Sequence, residues 1–165
     1  MEQVAHSLQK WAIERRQDPD DFDQYGRSAF NRYYYSTFLI VRPLIVEFEP
    51  DWGRSHSSIP GMLTGSIERE LKRFRKSAMG RLDKDDIRTL NVAIAALNSL
   101  AQLMTSANAS RIAADYNPEI PLTVKGADRF SLASTDISEA HDWPARARTM
   151  TSQIRRGWRL ARAGA

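Results

Sequence analysis

An all-α bundle of about five helices, with a long central helix and a basic C-terminal one, is the fold class this sequence predicts. Two observations carry that expectation: apolar side chains recur at three-and-four spacing through every long segment, and no segment alternates apolar and polar residues over strand length between turn signals. No internal repeat is visible. At 165 residues the chain is expected to be one domain over 1–165, large enough to bury a core without staples.

The first helix is expected over about 2–17, with Val4, Leu8, Trp11 and Ala12 on its inward face and a stop at Asp18-Pro19, because the residue before a proline avoids helical geometry. The second, about 23–48, carries apolar or aromatic side chains at Tyr25, Ala29, Phe30, Tyr33, Tyr34, Phe38, Val41, Leu44, Ile45 and Phe48, with Pro43 as a kink. Residues 49–61, "EPDWGRSHSSIPG", have the composition of a loop. A third helix over about 62–77 turns Met62, Leu63, Ile67, Leu71 and Phe74 inward. Asp83 and Asp86 supply an N-terminal cap for the fourth. That helix follows Ile87, Leu90, Ile94, Leu97, Leu100, Leu103 and Met104 from Lys84 to Tyr116, would span about 50 Å, and is expected to bend or break near "TSANAS". "NPEIPLTVKG" reads as an extended loop. The last helix, about 135–161, sets Ile137, Ala140, Pro144, Ala147, Met150, Ile154 and Trp158 on one stripe and its arginines mostly off it.

The chain has no cysteine, which excludes disulfides and thiolate metal sites. Its three histidines, His6, His56 and His141, are scattered along the sequence, so no metal site and no cofactor is expected. The N-terminus has an early glutamate and no apolar run of signal-peptide length, and no run of roughly 18 apolar residues is apparent. The expectation is a cytoplasmic protein without a membrane partner.

Charge is distributed unevenly. From Trp143 to the end stand Arg146, Arg148, Arg155, Arg156, Arg159 and Arg162 with no acid, which leaves residues 1–142 at −2 against a whole-chain charge of +4. A second basic run, "RELKRFRK" at 69–76, is partly balanced by Glu68 and Glu70. An acid-free arginine stretch points toward a polyanionic partner, RNA or a nucleotide. The other conspicuous stretch is "SAFNRYYYSTF" at 28–38, three consecutive tyrosines behind an arginine. Tyr33 and Tyr34 read as core aromatics. Arg32 and Tyr35 fall near the border of the apolar face, where a cation among aromatics needs a partner such as Asp115 or a phosphate.

"SAFNRYYYSTF", then "GRSHSSI", then "SRIAADYNP" resembles the HEPN family of prokaryotic helical-bundle proteins in order and spacing over roughly residues 5–160. The positions carrying the likeness are Ser28, Arg32, Tyr33 to Tyr35, His56, Arg111 and Ala114-Asp115-Tyr116. The resemblance implies a bundle of four or five helices, a homodimer, and work on RNA or nucleotides in toxin–antitoxin or phage-defence systems. One departure bears on catalysis. Ribonuclease members separate an arginine from a following histidine on one helix by four to six intervening residues, and here the matching positions before His56 hold Glu49, Pro50 and Asp51, while those before His141 hold Ser134, Thr135 and Asp136.

A rearranged metal-independent site would use His56 as acid or base and Arg32 for the phosphate, as the catalytic pair. Arg54, Arg111 and Tyr35, together with Arg146, Arg148, Arg155, Arg156 and Arg159, would contact nucleic acid. His56 is taken as the one neutral-pH acid or base near the aromatic helix, and Asp115 with Arg111 as an intrahelical ion pair. Two functional readings follow. One is an RNA-directed effector, with ribonuclease activity through this non-standard site. The other is a non-catalytic partner or antitoxin-type protein that dimerises and docks on a nucleotidyltransferase, a nucleotide or another protein encoded nearby. A DNA-binding regulator is disfavoured, since no helix-turn-helix pair carries the basic residues on its second helix.

Overall fold

The computed structural model describes residues 1–52, 55–81 and 83–163. The architecture is an all-α bundle. Its elements are α1 (Glu2–Glu14), α2 (Pro19–Phe48), a 3₁₀ turn (His56–Ser58), α3 (Ile59–Met62), a π-helical turn (Leu63–Ile67), α4 (Glu68–Gly80), α5 (Lys84–Tyr116), strands β1 (Leu122–Val124), β2 (Phe130–Leu132) and β3 (Thr135–Asp136), and α6 (Ile137–Ala163). The chain divides into two compact units, one formed by residues 1–39 with 106–145 and the other by 40–105 with 146 onward.

In the first unit, α1 corrects the sequence reading. Ala12 is buried as expected, but its buried companion is Ala5, while Val4 and Trp11 stay 49% and 47% exposed. Two alanines seven residues apart allow close backbone approach, so the larger side chains turn outward. Trp11 instead packs edge-on against Tyr25, ring centroids 5.8 Å apart. The aromatic face of α2 is core, as expected, with Phe30, Tyr33 and Tyr34 fully buried. Phe130 joins it edge-to-face with Phe22 and Phe30, at 5.5 and 6.0 Å.

Phe130 belongs to a second correction. The stretch read as a loop and helix start is a three-stranded antiparallel sheet, with Leu122 opposite Leu132, Val124 opposite Phe130, and Ser131 opposite Asp136. Strands of two and three residues are too short to show alternation, and β2 is buried along its whole length. Ala133 at φ 51° makes the tight link from β2 to β3. The sheet leans on α2 at Gly26, where an added Cβ would come within 2.4 Å of Leu122 Cδ1 and 3.2 Å of Phe130. A buried hydrogen bond of 2.8 Å between the hydroxyls of Thr135 and Ser110 ties it to α5.

The second unit is closed by Val41, Leu44, Ile45, Ile59, Leu63, Leu71, Leu90, Leu97, Leu100 and Ile154, all essentially buried. Helix begins at Ile59, earlier than the sequence suggested, because Pro60 sits in the first turn where its missing N–H is not needed. Asp83 caps α5 through Asp86 N–H at 3.0 Å, as read. The predicted interruption at 105–110 is absent and α5 runs unbroken, its hydroxyls of Thr105 and Ser110 folded back on their own helix carbonyls. By length and composition α5 could cross a membrane, which the sequence reading did not register. Just over half (56%) of its most apolar stretch is nevertheless buried inside the protein, as in a core helix.

Gly157 lets α6 approach α5 within this unit: a Cβ there would stand 2.4 Å from the Cβ of buried Ala93. Neither atom can swing aside. Gly157→Ala is therefore expected to destabilise the protein by about 1 to 3 kcal/mol through overpacking, despite the better helix propensity of alanine. A thermal melt that rises or stays unchanged would contradict this packing.

Candidate nucleic-acid interface

The apolar stripe read for α6 is where the structure puts it, with Ile137, Ala140, Ala147, Met150 and Ile154 buried. Its burial leaves the arginines on the outer arc of the helix. Arg148, Arg155, Arg156 and Arg159 line an open cleft of about 670 Å³ with Ile40 and the hydroxyl-bearing Thr151 and Ser152. A second cleft of about 610 Å³ is lined by Asp85, Arg88, Thr89, Val92, Gln153 and the same Arg156. Arg156 therefore faces both. Arg155 is paired with Glu47 at 3.2 Å, whereas Arg156 and Arg159 make no hydrogen bond or ion pair among the described residues. Arg146 is exposed on α6 outside these lining sets, and Arg162 lies over the Trp158 ring at 5.8 Å.

The basic run on α4 behaves differently. Lys72 pairs with Glu68 at 3.0 Å and Arg73 with Glu70 at 2.7 Å, while Arg75 donates to Asn91 Oδ1 at 3.0 Å and Arg69 to the Gly65 carbonyl at 3.2 Å. The Glu68 carboxyl is held below its usual range by the hydrogen bond from Asn98, opposed by burial and helped by Lys72. Local pairing makes this run a solvated helix face. The acids that distinguished this run in the sequence, Glu68 and Glu70, are the ones that pair its Lys72 and Arg73, whereas the acid-free segment of α6 keeps Arg156 and Arg159 unpaired among the described residues.

In the first unit, Arg32 is exposed and lines a cleft of about 250 Å³ with Arg27, Ser28, Asn31, Ala114 and Asp115. Asp115 is not its ion-pair partner. It pairs with Arg111 one helical turn back at 2.9 Å, as the spacing suggested, and accepts a hydrogen bond from Asn31 Nδ2. Arg111 also stacks over the Tyr116 ring at 5.4 Å, so this guanidinium is engaged by its own helix. Tyr35 packs edge-on against Tyr34, centroids 5.7 Å apart. Burial pushes the Tyr34 phenol up to about 12, opposed by the charge of Arg111 and assisted by Tyr35, so it stays a neutral hydroxyl at physiological pH.

The cation that organises this end of α2 is Arg27, which the sequence reading passed over. Its side chain is 11% exposed and its Nε donates to both Asp23 carboxylate oxygens at 2.8 Å. Its terminal nitrogens donate to the carbonyls of Ala113, Asn117, Pro118 and Ile120 at 3.1, 3.2, 3.2 and 2.6 Å. Ala113 lies in the last turn of α5 and the other three carbonyls in the turn that follows, so Arg27 ties the end of α5 to its continuation; the carbonyls of Ala113 and Asn117 also accept the backbone N–H of Asn117 and Ile120. No local pattern announces such a role, since the acceptors lie some ninety residues away.

His56 is half-buried and opens the 3₁₀ turn that Trp52 braces through its indole N–H to Ser58 Oγ at 2.9 Å. It belongs to the second unit and Arg32 to the first. Arg54 lies outside the described residues. His56 is not the one neutral-pH acid or base beside the aromatic helix: His141 Nδ1 lies 2.8 Å from Tyr33 Oη. Sequence spacing could not show this, because 108 positions separate the two residues. Among the described residues no group of three or more His, Cys, Asp or Glu side chains could hold a metal ion. No family model, curated protein or solved structure matches this chain.

Proposed function

We propose that this protein binds RNA through the arginine cleft of α6. The observation that carries the reading is the set of four arginines on one cleft, two of them unneutralised among the described residues. Guanidinium suits this task because its planar donor fork matches phosphate oxygens two at a time. Ser152 and Thr151 add hydroxyls that bond phosphate or ribose, and Ile40 supplies an apolar wall. Arg156, facing both clefts, favours an extended polyanion over a mononucleotide. The resemblance of the Arg32, His56 and Arg111 segments to HEPN proteins supports the same substrate class and an effector role in a toxin–antitoxin or defence setting. Self-association belongs to this reading too, supported by the exposed Val4 and Trp11 on α1.

Fluorescence anisotropy with a labelled single-stranded oligoribonucleotide tests it. Saturable binding in the micromolar range or tighter is expected at roughly 0.1 M salt, weakening as salt rises. Absence of binding under those conditions would overturn the reading.

A further inference from the structure

His6 on α1 and His141 on α6 are both exposed, with ring centroids 5.4 Å apart and planes inclined at 62°. Both belong to the first unit. Two imidazoles bound to one tetrahedral zinc through nitrogens about 2.0 to 2.1 Å from the ion hold their ring centroids about 5 Å apart. The observed spacing fits that arrangement. His141 is oriented from behind: Tyr33 Oη donates to Gln9 Oε1 at 2.7 Å and lies 2.8 Å from His141 Nδ1. With the phenol proton on Gln9, Nδ1–H donates to the phenol oxygen and the lone pair stands on Nε2. A histidine tied through its second nitrogen in this way has the form that metal ligation requires. Burial, with the Glu2 carboxylate adding to it, raises the Tyr33 phenol, so it stays a neutral hydroxyl and keeps this bond. His6 makes no hydrogen bond or ion pair among the described residues, which leaves its ring nitrogens open to a ligand. Glu2 stands one turn before His6 on α1, and its action on Tyr33 puts the field of a carboxylate at this spot, which favours a cation. Lys10, one turn after His6, opposes that field, but it is exposed and screened by solvent.

We propose that His6 and His141 bind a divalent transition ion of the zinc class, with Tyr33 orienting His141, and that the ion pins α1 to α6. Neutral imidazole suits zinc, copper and nickel and discriminates against magnesium and calcium, which take oxygen ligands. Two protein ligands leave the remaining positions to water, in keeping with the lack of a third His, Cys, Asp or Glu ligand among the described residues. The site is therefore an exchangeable one, unlike the closed four-ligand sites that hold structural zinc. Its consequence is thermodynamic. The inward face of α1 is formed by two alanines, Ala5 and Ala12, with Trp11 packed against Tyr25, so its apolar anchorage is small. An ion that bridges α1 and α6 only in the folded chain adds stability in proportion to the logarithm of free zinc. This inference is independent of the RNA-binding reading.

The test titrates zinc chloride into the purified full chain by calorimetry, with thermal melts in zinc and in magnesium. Zinc is expected to bind once per chain and, at about ten times its dissociation constant, to raise the melting temperature by about 3 °C or more. Magnesium at the same concentration should leave it unchanged. His6→Ala and His141→Ala are each expected to lose the zinc shift while melting near wild type without metal, because both side chains are exposed. His141→Gln, which keeps a polar contact to Tyr33, should lose it too. Copper(II) serves as a spectroscopic probe: its paramagnetic resonance should show two coupled imidazole nitrogens in wild type and one in each histidine variant. Tyr33→Phe removes the acceptor of Nδ1–H and should weaken zinc about 10-fold or more. Absence of zinc binding, an equal shift with magnesium, or a zinc shift that survives both histidine substitutions would overturn the site. Zinc affinity unchanged in Tyr33→Phe would overturn the orienting bond.

Discussion

With Arg27 replaced by alanine, the protein is expected to lose about 2 kcal/mol of stability, measured by urea denaturation. The guanidinium is nearly buried and answers six acceptors, two from Asp23 and four carbonyls, Ala113 in the last turn of α5 and Asn117, Pro118 and Ile120 in the turn after it. Asp23 is about half exposed and recovers water when its partner goes, so the ion pair itself contributes a minor share. The carbonyls of Ala113 and Asn117 keep their backbone donors and Pro118 is exposed, so the loss falls mainly on the short bond to the Ile120 carbonyl, where an acceptor left unmet costs about 1 to 3 kcal/mol. Arg27→Lys should restore only part of the loss, because one ammonium cannot reach acceptors spread across the helix end and its following turn. A change below about 1 kcal/mol would place Arg27 among ordinary surface residues and contradict this account.

Replacing Arg148, Arg155, Arg156 and Arg159 together by glutamine is expected to weaken RNA binding by about 10² to 10³ at roughly 0.1 M salt, since each single-strand phosphate contact contributes about 0.7 to the logarithmic salt slope. The substitution removes charge but keeps a polar chain on a face that is already largely solvated. The helical far-ultraviolet signal and the melting temperature should therefore stay near wild type, apart from a small effect of losing the half-exposed Arg155–Glu47 pair. A quadruple variant that binds as tightly as wild type would reduce the cleft to a solvated surface.

How much of this was legible in the sequence depended on the range of the interaction. Helix periodicity is local, so the buried faces of α2, α5 and α6 could be read in advance, as could the Asp83 cap and the Arg111–Asp115 pair. The α1 face was legible only at Ala12: a stripe that joins it to Val4, Leu8 and Trp11 competes with one that joins it to Ala5, and the choice between them depends on how closely a neighbour approaches. The short strands escaped because two or three residues carry no period. The two basic runs differed legibly, because Glu68 and Glu70 stand one turn from Lys72 and Arg73, whereas the pairing of Arg155 with Glu47, 108 positions away, was not legible. Arg27 with its distant carbonyls, and His141 with Tyr33, are long-range meetings that no spacing rule anticipates. Their local sequence, an ordinary arginine near the start of a helix and a histidine on an arginine-rich one, carried no signal.

The most direct measurement is the salt dependence of oligoribonucleotide binding by wild type and by the quadruple glutamine variant, each taken as the slope of log K against log salt. If the α6 cleft holds RNA phosphates, the wild-type slope is steep and the variant's is flatter by about 2 to 3, the share of up to four lost contacts. Parallel slopes, whatever the absolute affinities, would show that the RNA phosphates are neutralised elsewhere and would contradict the proposed interface.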